Sequence, residues 1–437
     1  MLARAVRRSQ APDVHAGLTP HRHEEELLMV MEIDLGPRAR AFRDELRGWL
    51  EANRPDYDFP PGGERSMILS GSPEVTAWAE KMHEAGYMCV GWPEEYGGRG
   101  LSAVEVAVMN EEFARADVPR VTRGMGESLV GPSIIAHGTP EQKAYFLPRI
   151  IDGTDRYCQG FSEPDAGSDL ASLRTRGVVD GDEIVITGQK VWTSGATGCN
   201  TIFILCRTDP DASKHKGISY VIAPMTLPDG SPNGIELRPI RQINGASGFT
   251  ETFVSGMRAP LFNVIGGLND GWRVTMTTLG NERGGHATTQ HLPFEKQFWK
   301  LVEEARRRGV VTDPLVRQKL AWSYTHTEIL RYQGLRTMAE LAAGKEIGPQ
   351  VSLNKMFWSE YARDVGSWGL HLRGADGMIR PGVPDGSDDY DVDYWQEEFF
   401  RHRGSVIWGG TAEVQRNIAA ERVLGMPKEP RLDKAPR

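Results

Sequence analysis

Cysteine is scarce in this chain: four in 437 residues, Cys89, Cys158, Cys199 and Cys206. Their spacings form neither a zinc ladder nor the framework of a small disulfide-stapled domain, so free thiols in a reducing cytoplasm are the expectation. Long apolar runs are missing too, and nothing approaches the ~18 to 20 residues that a membrane span requires. There is no Walker loop, no HExxH, no G-x-S-x-G elbow and no dinucleotide glycine fingerprint, which removes the usual support for P-loop, zinc-hydrolase and serine-nucleophile chemistry. Positive charge is not in excess either. With 51 Lys and Arg against 59 Asp and Glu, the net charge of -8 gives no electrostatic reason to expect nucleic acid or an anionic membrane as partner.

What is present is enough chain for roughly two or three domains and a pocket between them. Residues 1–30 are polar, basic at the start and acidic at Glu24, Glu25 and Glu26. They read as a disordered extension, with Met31 as a second candidate start. From 31 to 155 the texture is helical. Phe42, Leu46, Trp49 and Leu50 fall on one face, Ser72-Pro73 is a start signal, Ser102 to Glu105 is a capping box, and Gly138 ends one helix before Thr139 and Gln142 cap the next. From 156 to 270 the pattern turns to short β-rich runs at 174–179, 183–187, 201–206, 218–223, 235–240 and 250–254, the first two joined by the hairpin signal Asp180-Gly181. From 271 to 426 helical spacing returns at 274–279, 298–307, 313–343, 351–372 and 411–423, and 427–437 reads as a tail. The stretch 374–393, with SDDYDVD, has acidic residues but not the spacing of a calcium loop of about 12 residues, and reads as a solvated loop.

Two stretches stand out: FSEPDAGSDL at 161–170, where helices give way to strands, and GQKVWTSGA at 188–196. Small residues at a domain junction let backbone N–H groups approach a planar ligand, and Trp192 could stack on it or shield it; a tryptophan after a strand is also common in a core. With GWPEEYGGRG at 91–100, GTPEQKAYFLPRIIDG at 138–153, GWRVTMTTLGNER at 271–283 and WGGTAEVQRNIAAERVLG at 408–425, these stretches resemble the acyl-CoA dehydrogenase family across most of 36–426. The resemblance implies an α+β fold: an N-terminal helical domain, a central β-domain and a C-terminal four-helix bundle, with FAD between them. It places Gln159, Phe161, Ser162, Gly167 and Ser168 along the flavin, Ser168 also near the thioester or coenzyme A. Trp192, Thr193 and Ser194 would face the isoalloxazine, Ser194 standing where the family usually has a threonine bonded to flavin N5. Thr411 and Glu413 match the segment touching the cofactor after the catalytic turn, and Asn281, Arg283 and Gly410 match positions beside the substrate.

The chain departs from the family at that turn. Members of the medium- and short-chain type read Glu-Gly-Thr where this chain reads Gly409-Gly410-Thr411, so the usual base is missing. Glu282 stands where long-chain and isovaleryl types carry theirs. Alone, Glu282 beside Arg283 reads as a surface helix pair; beside Gly409 it reads as a base that has moved. A weakly acidic thioester α-proton needs a carboxylate within hydrogen-bond reach, and the developing enolate needs fixed donors, for which the resemblance suggests the Gly409 N–H and a flavin ribose hydroxyl. The implied reaction is α,β-dehydrogenation of an acyl-CoA to the trans-2-enoyl-CoA, the β-hydride passing to flavin N5, with an electron-transferring flavoprotein as acceptor and no metal.

A second departure concerns the far end of FAD. Family homotetramers carry an Arg-x-x-Phe-Gly element and a Gln-x-x-Gly-Gly-x-Gly element that hold a neighbour's adenosine; here the regions read RRRGVVTDPLVRQ at 306–318 and LHLRGADG at 370–377. Two readings stay open: a homo-oligomer with diverged contacts, or a heterotetramer in which two related chains share each flavin site, as in the subgroup of steroid side-chain degradation. Two alternatives to a catalytic dehydrogenase follow from the same fold, a non-catalytic chain completing a partner's FAD site and a flavin monooxygenase. Glu282 with both flavin stretches intact argues against the first, and oxygen uptake separates the second.

Overall fold

The computed structural model describes residues 36–55, 72–284, 288–345, 348, 351–379 and 392–428. The expected 1–30 extension, nearly all of the 427–437 tail and most of the 374–393 loop lie outside these residues. Among the described residues, five α-helices come first: α1 (Gly36–Asn53), α2 (Pro73–Glu84), α3 (Ala103–Arg115), α4 (Gly131–His137) and α5 (Pro140–Ile151). The apolar spacing read from α1 buries Phe42, Leu46 and Leu50 against Trp78, Met82, Met109 and Phe113. Both expected capping boxes form, Ser102 with Glu105 and Thr139 with Gln142. Gln142 does more than cap, because its amide also donates to the Phe262 and Val264 carbonyls at 2.6 and 3.1 Å, tying α5 to the strand domain.

Eight strands follow: β1 (Tyr157–Gly160), β2 (Arg176–Asp180), β3 (Glu183–Ser194), β4 (Thr201–Arg207), β5 (Ile218–Pro224), β6 (Ile235–Ile240), β7 (Phe249–Pro260) and β8 (Val264–Ile265). They form one sheet in the order β6-β7-β3-β2-β4-β5-β8, with β1 added parallel to β4. The hairpin β2–β3 turns at Asp180-Gly181 as expected. Where the sequence signal for β3 stops at 187, the strand continues to Ser194. Gly188 interrupts the alternation, but pairing with the equally long β7 carries the strand past it.

The rest is helical: α6 (Gly271–Gly284), α7 (His291–Arg307), α8 (Pro314–Ala342), α9 (Val351–Arg373), α10 (Tyr394–Ser405) and α11 (Ala412–Ile418), the last running into one π turn at Ala419–Val423. Helices α7 to α10 share a core of Phe294, Leu301, Leu330, Tyr361, Val365 and Trp395. α10 follows directly on the acidic loop, where Asp393 and Gln396 close a capping box the sequence reading had absorbed into that loop. α6 is set apart on the sheet. A side chain at Gly271 would lie 2.4 Å from the Tyr220 amide of β5, so only glycine permits this approach. On its other side, Thr278 meets Ser133 of α4 at 2.7 Å and Thr277 meets His137 at 2.7 Å. Helical domain, sheet and bundle therefore converge on α6. The architecture is the expected α+β arrangement of helical, β and helical parts.

Candidate active site

The two stretches singled out from the sequence are brought side by side. The loop leaving β1 carries Phe161 and Ser162, and the Ser162 carbonyl accepts from the Val191 amide of β3 at 2.9 Å. Beneath this contact Lys190, 0 % exposed, donates to the Glu163 carboxylate at 2.9 Å and to the Phe161 carbonyl at 3.1 Å. Glu163 also accepts from the backbone amides of Arg174 and Thr175 at 2.6 and 2.8 Å. Burial alone would raise the Glu163 carboxyl; the Lys190 charge, together with the hydrogen bonds from Thr175, Lys190 and the Arg174 amide, outweighs it and holds the group below the usual carboxylate range. Neither Lys190 nor Glu163 was picked out from the sequence, although both lie inside the motifs. The available signal was a lysine on a strand two residues before the tryptophan expected to face a flavin.

Above the pair, the β3–β7 register slips between Lys190 and Thr193, and Trp192 takes a left-handed backbone conformation with φ +62°. For a bulky residue this is strained, and strain of this kind gathers at ligand sites. The indole is 57 % exposed, with the Phe249 ring edge-on at 6.0 Å as its recorded ring neighbour. Thr193 points the other way: it is fully buried and its hydroxyl accepts from Thr252 at 3.0 Å, so what it can offer a ligand is backbone. Ser194 is half-buried at the strand end. Phe161 is likewise core, edge-on to Phe203 at 5.4 Å and Tyr220 at 6.0 Å, so its offering is also backbone. Gln159 on β1 is half-buried, and its side-chain amide nitrogen is buried without a hydrogen-bond partner. Such an orphaned donor is costly unless a ligand acceptor meets it. An exposed indole, an uncommitted amide donor and a half-buried hydroxyl around one strand end fit a planar heterocycle with carbonyl and ring-nitrogen acceptors, as FAD presents.

Gly167 and Ser168 are exposed on the loop before β2. Beside them Asp169 pairs with Lys214 at 2.5 Å, on a loop whose Lys214 and Lys216 carbonyls accept from Arg207 at 3.1 and 3.0 Å. On α6, Asn281 is half-buried. Glu282 and Arg283 occupy the last turn of the same helix, one turn beyond the Thr277–Thr278 contacts with α4; their side chains lie outside the described residues.

The glycine turn follows α10. Gly409 and Gly410 both take left-handed backbone, with φ +66° and +90°. The buried Gln415 side chain donates to the Gly409 carbonyl at 3.1 Å, and a side chain at Gly410 would lie 2.4 Å from its amide. Thr411 caps α11 through Val414 N at 3.2 Å, while Glu413 is exposed in the first turn near Arg416. Behind the turn, Lys355 of α9 donates to the Ser405 carbonyl at 2.7 Å, His402 bridges Ser405 and Glu398, and Trp408 lies on Trp358 with centroids 5.5 Å apart. α9 touches both α6 and α11, and Asn244 of the strand domain donates to Glu397 of α10 at 2.8 Å. Gln415, Lys355 and His402 were not anticipated; only the packed structure shows them supporting the turn. Among the described residues there is no cluster of metal-ligating side chains, and no helix is long and apolar enough to cross a membrane.

Comparison with known proteins follows the same three parts. The chain matches the family models for the acyl-CoA dehydrogenase N-terminal domain at 38–154, the middle domain at 158–255 and the C-terminal domain at 269–424. It is 42 % identical over 395 residues to acyl-CoA dehydrogenase IpdE1 of Mycobacterium tuberculosis, covering 89 % of this chain and 98 % of that one. Among solved structures it resembles the Tcur3481-Tcur3483 steroid ACAD, at 33 % identity and TM-score 0.74, over 91 % of this chain and 100 % of that one. It also resembles the ChsE4-ChsE5 complex from Mycobacterium tuberculosis, at 29 % identity and TM-score 0.73, again over 91 % and 100 %.

Proposed function

Because the chain belongs to the acyl-CoA dehydrogenase family, whose members are FAD-dependent oxidoreductases, we propose that it oxidises the Cα–Cβ bond of a steroid-derived acyl-CoA, with Glu282 as base, as one chain of a heteromeric enzyme. The observation that carries the reading is the junction of the two stretches: Ser162 bonded to Val191, with Trp192 exposed beside it and the Gln159 amide left without a partner.

FAD, when bound, supplies the acceptor for the β-hydride. The chain's own residues do the rest. Gln159, Ser194 and the backbone of Phe161, Ser162 and Thr193 hold and orient the ring system, with Trp192 against its face; Gly167 and Ser168 leave room for the cofactor and thioester, and Thr411 and Glu413 contribute from the start of α11. Glu282 removes the α-proton, and the Gly409 N–H stabilises the oxygen of the developing enolate. Gly409 keeps that N–H although it carries no side chain. Asn281, Arg283 and Gly410 border the thioester. The Lys214–Asp169 pair holds the 214–216 loop beside Ser168, and the exposed Lys216 on that loop suits the coenzyme A phosphates.

The heteromeric part of the proposal rests on the far half of the FAD site. Arg307 and Arg308 both pair with Glu304, at 2.5 and 3.1 Å, Arg308 also pairs with Asp376 at 2.5 Å, and Arg373 pairs with Asp393. The two diverged segments meet through Arg308 and Asp376, and Arg307, Arg308 and Arg373 are already committed to carboxylates of the same chain. A related partner chain then supplies the adenosine contacts, and an electron-transferring flavoprotein takes the electrons.

The test compares the chain alone with the chain co-expressed with a related dehydrogenase subunit, recording the flavin spectrum and its bleaching by acyl-CoA esters without oxygen. The expected result is a yellow co-expressed complex bleached by steroid-derived esters faster than by straight-chain ones, and a colourless lone chain. Glu282→Gln should keep the yellow colour and lose about a thousandfold or more in bleaching rate; rapid bleaching by that variant would remove Glu282 from the mechanism.

A further inference from the structure

The buried Lys190–Glu163 pair has no place in the proton and hydride chemistry, yet it sits where the two flavin-facing stretches join. An ion pair this deep is rarely kept for stability alone, since a hydrophobic pair of similar volume does as well or better. Its geometry is specific. The Lys190 ammonium reaches two acceptors, the Glu163 carboxylate at 2.9 Å and the Phe161 carbonyl at 3.1 Å, and so pulls the 161–163 segment onto β3. The carboxylate in turn takes the amides of Arg174 and Thr175, anchoring the same segment to the entry of β2. Three further bonds close the arrangement: Val191 N to Ser162 O at 2.9 Å, and the reciprocal pair between Glu163 and Ala166 at 3.1 Å each way. Immediately after Lys190 the strand slips register and Trp192 goes left-handed. A strained backbone persists only where its surroundings over-determine it, and the ammonium one residue before the slip is what fixes the strand there.

We infer that Lys190 and Glu163 are positioning residues for the cofactor: one buried charge pair sets the spacing between the Phe161–Ser162 backbone and the Trp192–Ser194 strand end, and through it the pocket for the isoalloxazine. The inference rests on the reading of this junction as the FAD site. It acts through other residues, and neither side chain needs to touch the flavin.

Removing one partner leaves the other as an unpaired buried charge, so Lys190→Met or Glu163→Gln alone can unfold the domain for reasons unrelated to the cofactor. The informative variant is the double one, Lys190→Met with Glu163→Gln, which removes both charges and keeps comparable volume. In the flavin-loaded complex the double variant should hold its circular dichroism and melting cooperativity, release FAD on dilution about tenfold faster, the loss expected of one charge-assisted hydrogen bond, and show a displaced flavin absorption band. A double variant with the parent's FAD release rate and absorption band would reduce the pair to a structural filler and overturn the inference. Hydrogen exchange on the unaltered complex gives a reading that no folding defect can obscure. The amides of 161–163, 174–175 and 190–192 should open as one unit, and more slowly with FAD bound; independent opening of 174–175 and 190–192 would also overturn it. A chain that takes up no flavin in any assembly fails the cofactor reading itself, which is a different outcome from flavin held equally well without the pair.

Discussion

At the catalytic turn, two glycines stand in backbone conformations that other residues adopt only at a cost. A side chain at either position costs about 1 to 2 kcal/mol of backbone strain, at φ +66° for Gly409 and +90° for Gly410, and at Gly410 the Gln415 amide, 2.4 Å from where a Cβ would sit, must also swing aside. Placing Gly409→Glu in the Glu282→Gln background should recover part of the lost bleaching rate, because a carboxylate returns at the family's other base position while the N–H of residue 409 is retained. A double variant no faster than Glu282→Gln would mean that the two positions do not address the same proton. The site residues proposed from the sequence are those whose chemistry is carried by type and order: Glu282 before Arg283, Gly409 in place of a carboxylate, Trp192 after a strand. Lys190, Glu163 and Gln415 could not be read in this way. Each acts through a partner 27 or 6 residues away, Glu163 from Lys190 and Gly409 from Gln415, and only folding reveals that pairing.

Among the elements, α6 carries the heaviest demand, since one helix must seat on the sheet, touch the N-terminal helices and, in the proposed reaction, present the base. Its start is set by Gly271 against the Tyr220 amide and its middle by Thr277 and Thr278 against α4. Gly271→Ala forces the helix off β5, because the contact is with rigid backbone and not with the end of a flexible side chain. The expected cost is about 1 to 3 kcal/mol, as for overpacking a core, seen as a lowered melting temperature together with slower flavin bleaching, since the last turn of α6 moves with its first. An unchanged bleaching rate would separate the seat of the helix from the placement of Glu282. Helix periodicity and caps made most helices legible, and alternation with Asp180-Gly181 did so for the β2–β3 hairpin. The last part of β3 was missed because Gly188 breaks the pattern that pairing with β7 restores, and β1 was missed because Tyr157-Cys158-Gln159-Gly160 has no alternation and is a strand only by virtue of β4.

On the scale of the whole molecule, the proposed heteromer divides the labour between two ends of one cofactor. The end formed by β1, β3 and the glycine turn has exposed or uncommitted groups, an indole and an amide among them. The end formed by the α7–α8 corner and the segment after α9 has Arg307, Arg308 and Arg373 matched by Glu304, Asp376 and Asp393 of the same chain. A guanidinium already bidentate with a carboxylate gains little from a diphosphate, because the first partner must be given up. If this chain held a neighbour's adenosine half, replacing Arg306, Arg307 and Arg308 together by alanine would strip FAD from the assembly. In the heteromer proposed here the same triple variant should retain its full flavin content and bleaching rate. It should lose the stability of the pairs centred on Glu304, whose side chain is 9 % exposed, at a cost of about 1 to 3 kcal/mol for a buried carboxylate left without its partners. Flavin content per complex after gel filtration decides between them, and loss of FAD in the triple variant would return the protein to a self-sufficient homo-oligomer whose contacts have merely diverged.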